Sequence, residues 1–404
     1  MDDPSTQTTL VLTHLSKTLS LSPPQSTHPP ATLTGLPTSH TGTAYLFLSV
    51  SAHHPRLQIH SYPAIHWARA YISNIPTPSA PISLPSTQET SREGPVIGLL
   101  SDALAGPAVR ACVTKDLLHV RKFLAILSPV LEHIISSNAN ANSFSSAPTT
   151  NSSAMDLDGP EPTRTTTTTT MQPLPSCLLH GLAGTLYLLR LIRHWVPSSA
   201  PLVCGAIVHV SEYLLGPHPW TCPSRSPASS ESHSHSHSHS SPRPSPEDTR
   251  GTTHGDLGII TQLVLTSPPL AASPALKYRL AGLLDLQLPN GDWPAPPPTS
   301  PPTSPNSQHP QSGIQQSSNA PLTPDQTPTQ PEPPASPQPP RAFASGPQGL
   351  VLSLLSLRPF FPTLHHRIDD AVERAREFLW ARAVDSEVPT EEVNLFYGSL
   401  STAL

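Results

Sequence analysis

The side chains able to bind a metal or move a proton are few and scattered. Four cysteines, Cys112, Cys177, Cys204 and Cys222, occur without a Cys-x-x-Cys pair. That pattern reads as reduced thiols rather than a disulfide framework. Cys177 lies three residues before His180, and Cys222 lies near His218. A thiolate and an imidazole so placed could ligate zinc, but neither pair has a third and fourth ligand beside it. Packing or surface roles are therefore expected of both. The alternation Ser232-His233 to Ser238-His239 offers imidazoles to zinc, nickel or copper. It has no fixed geometry and nothing to orient the rings, so it reads as low-complexity drift. Asp256 is a lone acid near a helix start, whereas glycan-processing α/α barrels need a carboxylate pair. No Ser-His-Asp set, phosphate loop or dinucleotide fingerprint stands out.

What must position these residues is a repeat of glycines. Gly98, Gly181, Gly255, Gly346 and Gly398 each open an apolar run, and Gly42 opens an earlier one. Once low-complexity filler is removed, the period is about 45 residues, the size of one helical hairpin. The expected helices include 43–50 with 64–72, 182–195 with 204–215, and 349–357 with 368–383. No convincing alternating strand is expected. A glycine at each first-helix start lets that terminus approach a shared centre and point its free N–H groups there. The fold class expected is all-α: an α/α toroid, incomplete, of about five hairpins plus a stub.

Composition trims the chain to one domain. It has 404 residues, 54 of them proline, and only 12% are charged. Residues 1–35 read as a flexible lead, and 36–404 as the toroid domain. Stretches 138–175, 221–253 and 293–340 are too poor in apolar residues to offset chain entropy and read as disordered loops. Net charge is −5 without a basic stripe, which argues against nucleic acid. The acidic Met1-Asp2-Asp3-Pro4 start is unlike a signal peptide. No uncharged apolar stretch reaches the ~18 residues of a membrane span. A cytoplasmic protein is expected, with peripheral attachment at the plasma membrane as a second option.

The elements His180-Gly-Leu-Ala-Gly184, His254-Gly255-Asp-Leu-Gly258 and Gln287-Leu-Pro-Asn-Gly291-Asp-Trp293-Pro294 resemble the lanthionine synthetase C-like family, in its eukaryotic, fungal branch. The resemblance runs from about residue 36 to 404 outside the three loops. It implies a double-layered toroid of seven hairpins around a zinc held by two cysteines and a histidine. Such a metal lowers the pKa of a substrate thiol, which adds to a dehydroamino acid. Bacterial members close lanthionine rings this way. Eukaryotic members are linked to adding glutathione to dehydroalanine or dehydrobutyrine in damaged proteins.

Carried over by position, the family's ligands are missing. The fifth-hairpin Cys-His-Gly-Ala-Pro-Gly element reads Ala344-Ser345-Gly346-Pro347-Gln348-Gly349, so Ala344 stands at the cysteine. The sixth-hairpin Cys-His-Gly reads Phe396-Tyr397-Gly398, so Phe396 and Tyr397 stand at the cysteine and histidine. The resemblance leaves His254 as candidate acid/base and Gly255, Gly258 and Gly346 as binding glycines. The expectation is a truncated, divergent member with no metal cofactor, a pseudoenzyme that at most binds glutathione or a peptide in its cavity. Two alternatives stand beside it: an active thioether-forming enzyme with a non-standard metal site, and a relative of glycan-processing barrels. An incomplete toroid leaves apolar hairpin faces open, so a covering dimer, a longer gene product or poor folding is expected.

Overall fold

The computed structural model describes residues 4–25, 34–37, 39–73, 82, 96–144, 173–222, 251–294 and 346–385. Among these, the fold is all-α, with eleven α-helices, four short 3-10 helices and one β-hairpin of two-residue strands. The helices are α1 (Pro4–Leu21), α2 (His40–His53), α3 (Ala64–Ser73), α4 (Asp102–Thr114), α5 (Leu117–Phe144), α6 (Leu182–Trp195), α7 (Ala200–Leu215), α8 (Asp256–Thr266), α9 (Pro274–Asp285), α10 (Pro347–Leu357) and α11 (His365–Asp385). The hairpin pairs β1 (Gln58–Ile59) with β2 (Tyr62–Pro63), antiparallel.

The helices form five consecutive pairs: α2 with α3, α4 with α5, α6 with α7, α8 with α9, and α10 with α11. The first members also pack in chain order, α2 on α4, α4 on α6, α6 on α8, and α8 on α10. These first members form the interior row. Apolar residues nearly all round α6 and α8 explain it: Leu182, Leu186, Leu189 and Ile192, then Leu257, Ile260, Leu263 and Val264, are all buried. The second members are two-faced. On α7, Val203, Val210 and Leu214 are buried while Leu202 and Val208 are exposed.

The segments leading into the interior helices are stitched together by backbone hydrogen bonds. Leu36 N–H donates to Leu99 C=O at 2.8 Å, Leu99 N–H to Leu178 C=O at 3.2 Å, and Leu178 N–H to Thr253 C=O at 3.0 Å. Glycine is what permits the stitching. A Cβ on Gly184 would lie 2.1 Å from Leu178 O and 2.7 Å from the Cα of Gly98. A Cβ on Gly258 would lie 1.9 Å from Thr252 O.

Several boundaries differ from expectation. Residues 1–35 are not all a flexible lead: α1 is regular, and Leu15 and Leu19 are buried in the common core. The loop limits also shift inward. Helix α5 runs to Phe144, Leu174 and Trp293 are buried, and Thr252 and Thr253 are buried against α8. In each case an apolar or hydrogen-bonded residue at the edge of a polar stretch is held by the fold. The interiors of the three loops lie outside the described residues. Pro197–Leu215 has the length and hydropathy of a membrane span, at a mean hydropathy of 1.2. It packs by one face against α5 and α6.

Candidate metal centre

Two thiols and two imidazoles meet where α6 and α8 begin. Cys177, His180, Cys222 and His254 each offer one ligand atom, and all four atoms lie within 4.8 Å of one another. Cys222 Sγ is 3.1 Å from Cys177 Sγ and 3.2 Å from His254 Nδ1. Cys177 Sγ is 3.9 Å from His180 Nδ1. The two imidazole rings stack, with centroids 5.6 Å apart and planes 27° from parallel. A tetrahedral zinc with ordinary Zn–S and Zn–N bonds needs donor separations of about 3.3–3.8 Å. The observed separations bracket that range, so the donor set fits a thiophilic divalent ion.

Local folding explains each placement. Cys177 and His180 lie on the turn that ends at Gly181, the extended N-cap of α6. The first N–H groups of α6 close that turn: Leu182 donates to Pro175 C=O and Ala183 to Ser176 C=O. These groups are therefore not free to point at a ligand, contrary to the sequence expectation. His254 stands immediately before Gly255, the extended N-cap of α8. Cys222 arrives from the far side. Its segment follows α7 and is anchored by Ser176 N–H donating to Thr221 C=O at 2.8 Å, and by Trp220 Nε1 donating to Leu214 C=O at 2.7 Å.

An ion pair braces the centre from outside. Arg279 of α9 donates to Asp256 Oδ2 at 2.9 Å, and its guanidinium carbon lies 3.9 Å from the Trp220 ring centroid. Asp256 follows His254 by two residues, and Trp220 precedes Cys222 by two. Arg279 thus ties the segment bearing Cys222 to the first residue of α8, two residues after His254. Asp256 is held in this pair rather than offered as one of two catalytic carboxylates.

Cys177 is fully buried, and the other three donors are partly exposed. The Cys222 sulfur hydrogen-bonded beside it, with burial second, pushes the Cys177 thiol well above its usual range. A bound cation reverses that logic, because a coordinated thiol gives up its proton.

The structure therefore separates the expected site residues. His254 joins the centre; Gly255 caps α8, Gly258 makes the closest approach to Thr252, and Gly346 caps α10 without a donor beside it in the cluster. Ala344, Phe396 and Tyr397 lie outside the described residues; as alanine, phenylalanine and tyrosine they do not form the two-cysteine, one-histidine set. Cys177, His180 and Cys222, expected to serve packing or surface roles, belong to the cluster. Cys222 lies near His218 in sequence, but the His218 ring stacks on Tyr213, with centroids 4.3 Å apart. No protein-family profile matches the chain, and no curated protein is similar to it.

Proposed function

We propose that the chain is a divergent lanthionine synthetase C-like protein. Its metal centre has moved from the fifth and sixth hairpins to the starts of α6 and α8. Five helical hairpins whose first helices pack in sequence support a toroidal arc. The observation that carries the reading is the convergence of Cys177, His180, Cys222 and His254 within 4.8 Å. It favours the non-standard-site alternative over a member without a metal.

Zinc bound there supplies a Lewis acid that favours the thiolate of a substrate thiol. Cys177, Cys222 and His180 would hold the ion as a two-cysteine, one-histidine set, leaving His254 for proton transfer. His254, the remaining donor, accepts the proton of an incoming glutathione or cysteinyl thiol. The sulfur adds to the β-carbon of a dehydroalanine or dehydrobutyrine in a peptide. His254 returns the proton to the α-carbon, so no atom is lost. The backbone stitching through Leu178 and Thr253 holds the two helix starts while this occurs.

A second reading is a closed structural centre, favoured by the presence of four protein donors where a catalytic site needs three. Incubation of zinc-loaded protein with glutathione and a dehydroalanine peptide separates the two. Thioether product above background, lost in His254→Ala while zinc stays bound, supports the enzyme. No product from stoichiometrically loaded protein supports the structural centre.

A further inference from the structure

We infer that Cys177 and Cys222 are an oxidative modification site: a hydroperoxide closes the metal-free pair to a disulfide, and that disulfide and a bound metal exclude one another. The inference deepens the metal reading, on which only its second half rests. It starts from two sulfurs of unequal access. The sulfurs are 3.1 Å apart and neither is in a disulfide; Cys177 is buried, whereas Cys222 is partly exposed. A small peroxide therefore meets Cys222 first. His254 Nδ1 lies 3.2 Å from the same sulfur, within proton-transfer reach in the tautomer that leaves Nδ1 unprotonated.

The Cys222 sulfur attacks one peroxide oxygen. An S–O bond forms, the O–O bond breaks, and the departing oxygen leaves as water, or as an alcohol, with the proton held at His254. Cys222 is now a sulfenic acid, oxidised by two electrons while the peroxide is reduced by two. The Cys177 sulfur then attacks the Cys222 sulfur. An S–S bond forms, the S–O bond breaks, and water leaves with the Cys177 proton. Little backbone movement is required, because the hydrogen bond from Ser176 N–H to Thr221 C=O holds the chain side by side one residue before each cysteine. A sulfur in a disulfide is no longer a thiolate ligand, so oxidation leaves the centre with two imidazoles alone.

The test uses the full chain, purified under reductant and split into zinc-loaded and chelator-stripped halves. Each half receives hydrogen peroxide. Free thiols are then alkylated, cross-linked peptides are sought by mass spectrometry, and released zinc is read with a chromogenic chelator. The expected result is a Cys177–Cys222 peptide that forms at least about tenfold faster in the stripped half. Zinc leaves the loaded half in step with the cross-link, and dithiothreitol reverses both. Cys204→Ser, which removes the exposed thiol outside the cluster, changes nothing. Cys222 ending as a sulfinic acid beside a free Cys177, or a cross-link running through Cys204, overturns the inference. A loaded half that cross-links while keeping its zinc overturns the exclusion. Cross-linking in a protein that takes up no zinc leaves the thiol pair standing and removes the metal reading instead.

Discussion

The starts of α8 and α10 share a backbone and differ in chemistry. Each is capped by an extended glycine, Gly255 at φ −112° and Gly346 at φ −97°, and neither has a side-chain cap. Each buries its first residues, Asp256-Leu257-Gly258 in one and Pro347-Gln348-Gly349 in the other. Before Gly255 stands His254, which meets thiols from two neighbouring segments. Before Gly346 stand Ala344 and Ser345, without a thiol or an imidazole. The glycine start is thus a packing device, and a side chain able to ligate a metal is a separate addition to it. A scaffold of this kind can keep its glycines at one station and carry its donors at another.

That separation can be broken by experiment. The largest effect belongs to the packing layer. Gly258→Ala places a Cβ 1.9 Å from Thr252 O, so it costs more than about 3 kcal/mol of stability, read by denaturant melts. A melt unchanged by Gly258→Ala contradicts the packing role of the glycine starts. Next comes the brace. Arg279→Ala removes the contact joining the Trp220 segment to Asp256, and zinc affinity falls about tenfold by chelator competition while the metal-free melt moves little. Equal losses in both measurements make Arg279 a general packing residue instead.

Helical glycines away from the stitching provide the contrast. A Cβ on Gly205 or Gly282 meets nothing within 4 Å, so alanine there stabilises by ~0.5–1 kcal/mol. A pH effect marks the interior row of the same scaffold. Burial pushes the Cys112 thiol from 9.0 up to about 12. The folded state keeps a proton that the unfolded chain releases, so this stabilisation is complete below pH 9 and lost as pH rises toward 12. Cys112→Ala flattens the alkaline arm of the stability profile; an unchanged arm assigns the loss to other groups, Tyr71 among them.

Much of this scaffold is legible in the chain, and the centre is legible only in part. The apolar run bounded by Gly181 and Pro197 gives α6 to the residue, because a cap and a breaker flank it. Helix α7 begins at Ala200, before the expected 204, since Pro201 fits a first turn as well as it fits a loop. Helix α1 is missed because its Ser and Thr residues mute its apolar face. His254 is visible through its Gly-led motif. Its partners are not, because Cys222 sits one residue inside a stretch that reads as filler and is separated from His254 by 32 residues. Composition cannot reveal that the two ends of such a stretch are pinned together. The signal available was a Cys-x-x-His at 177–180 with a further cysteine and histidine flanking a low-complexity insertion.

Metal content of the purified full chain, wild type beside Cys222→Ser, tests the central claim most directly. Both proteins keep the Ser-His repeat, so loose binding by those imidazoles cancels after dialysis against a weak chelator. The account predicts about one zinc per wild-type chain, replaceable by cobalt with the absorption of a tetrahedral thiolate site, and almost none in Cys222→Ser. Equal zinc in the two proteins, or none in a well-folded wild type, contradicts a metal centre at Cys177, His180, Cys222 and His254.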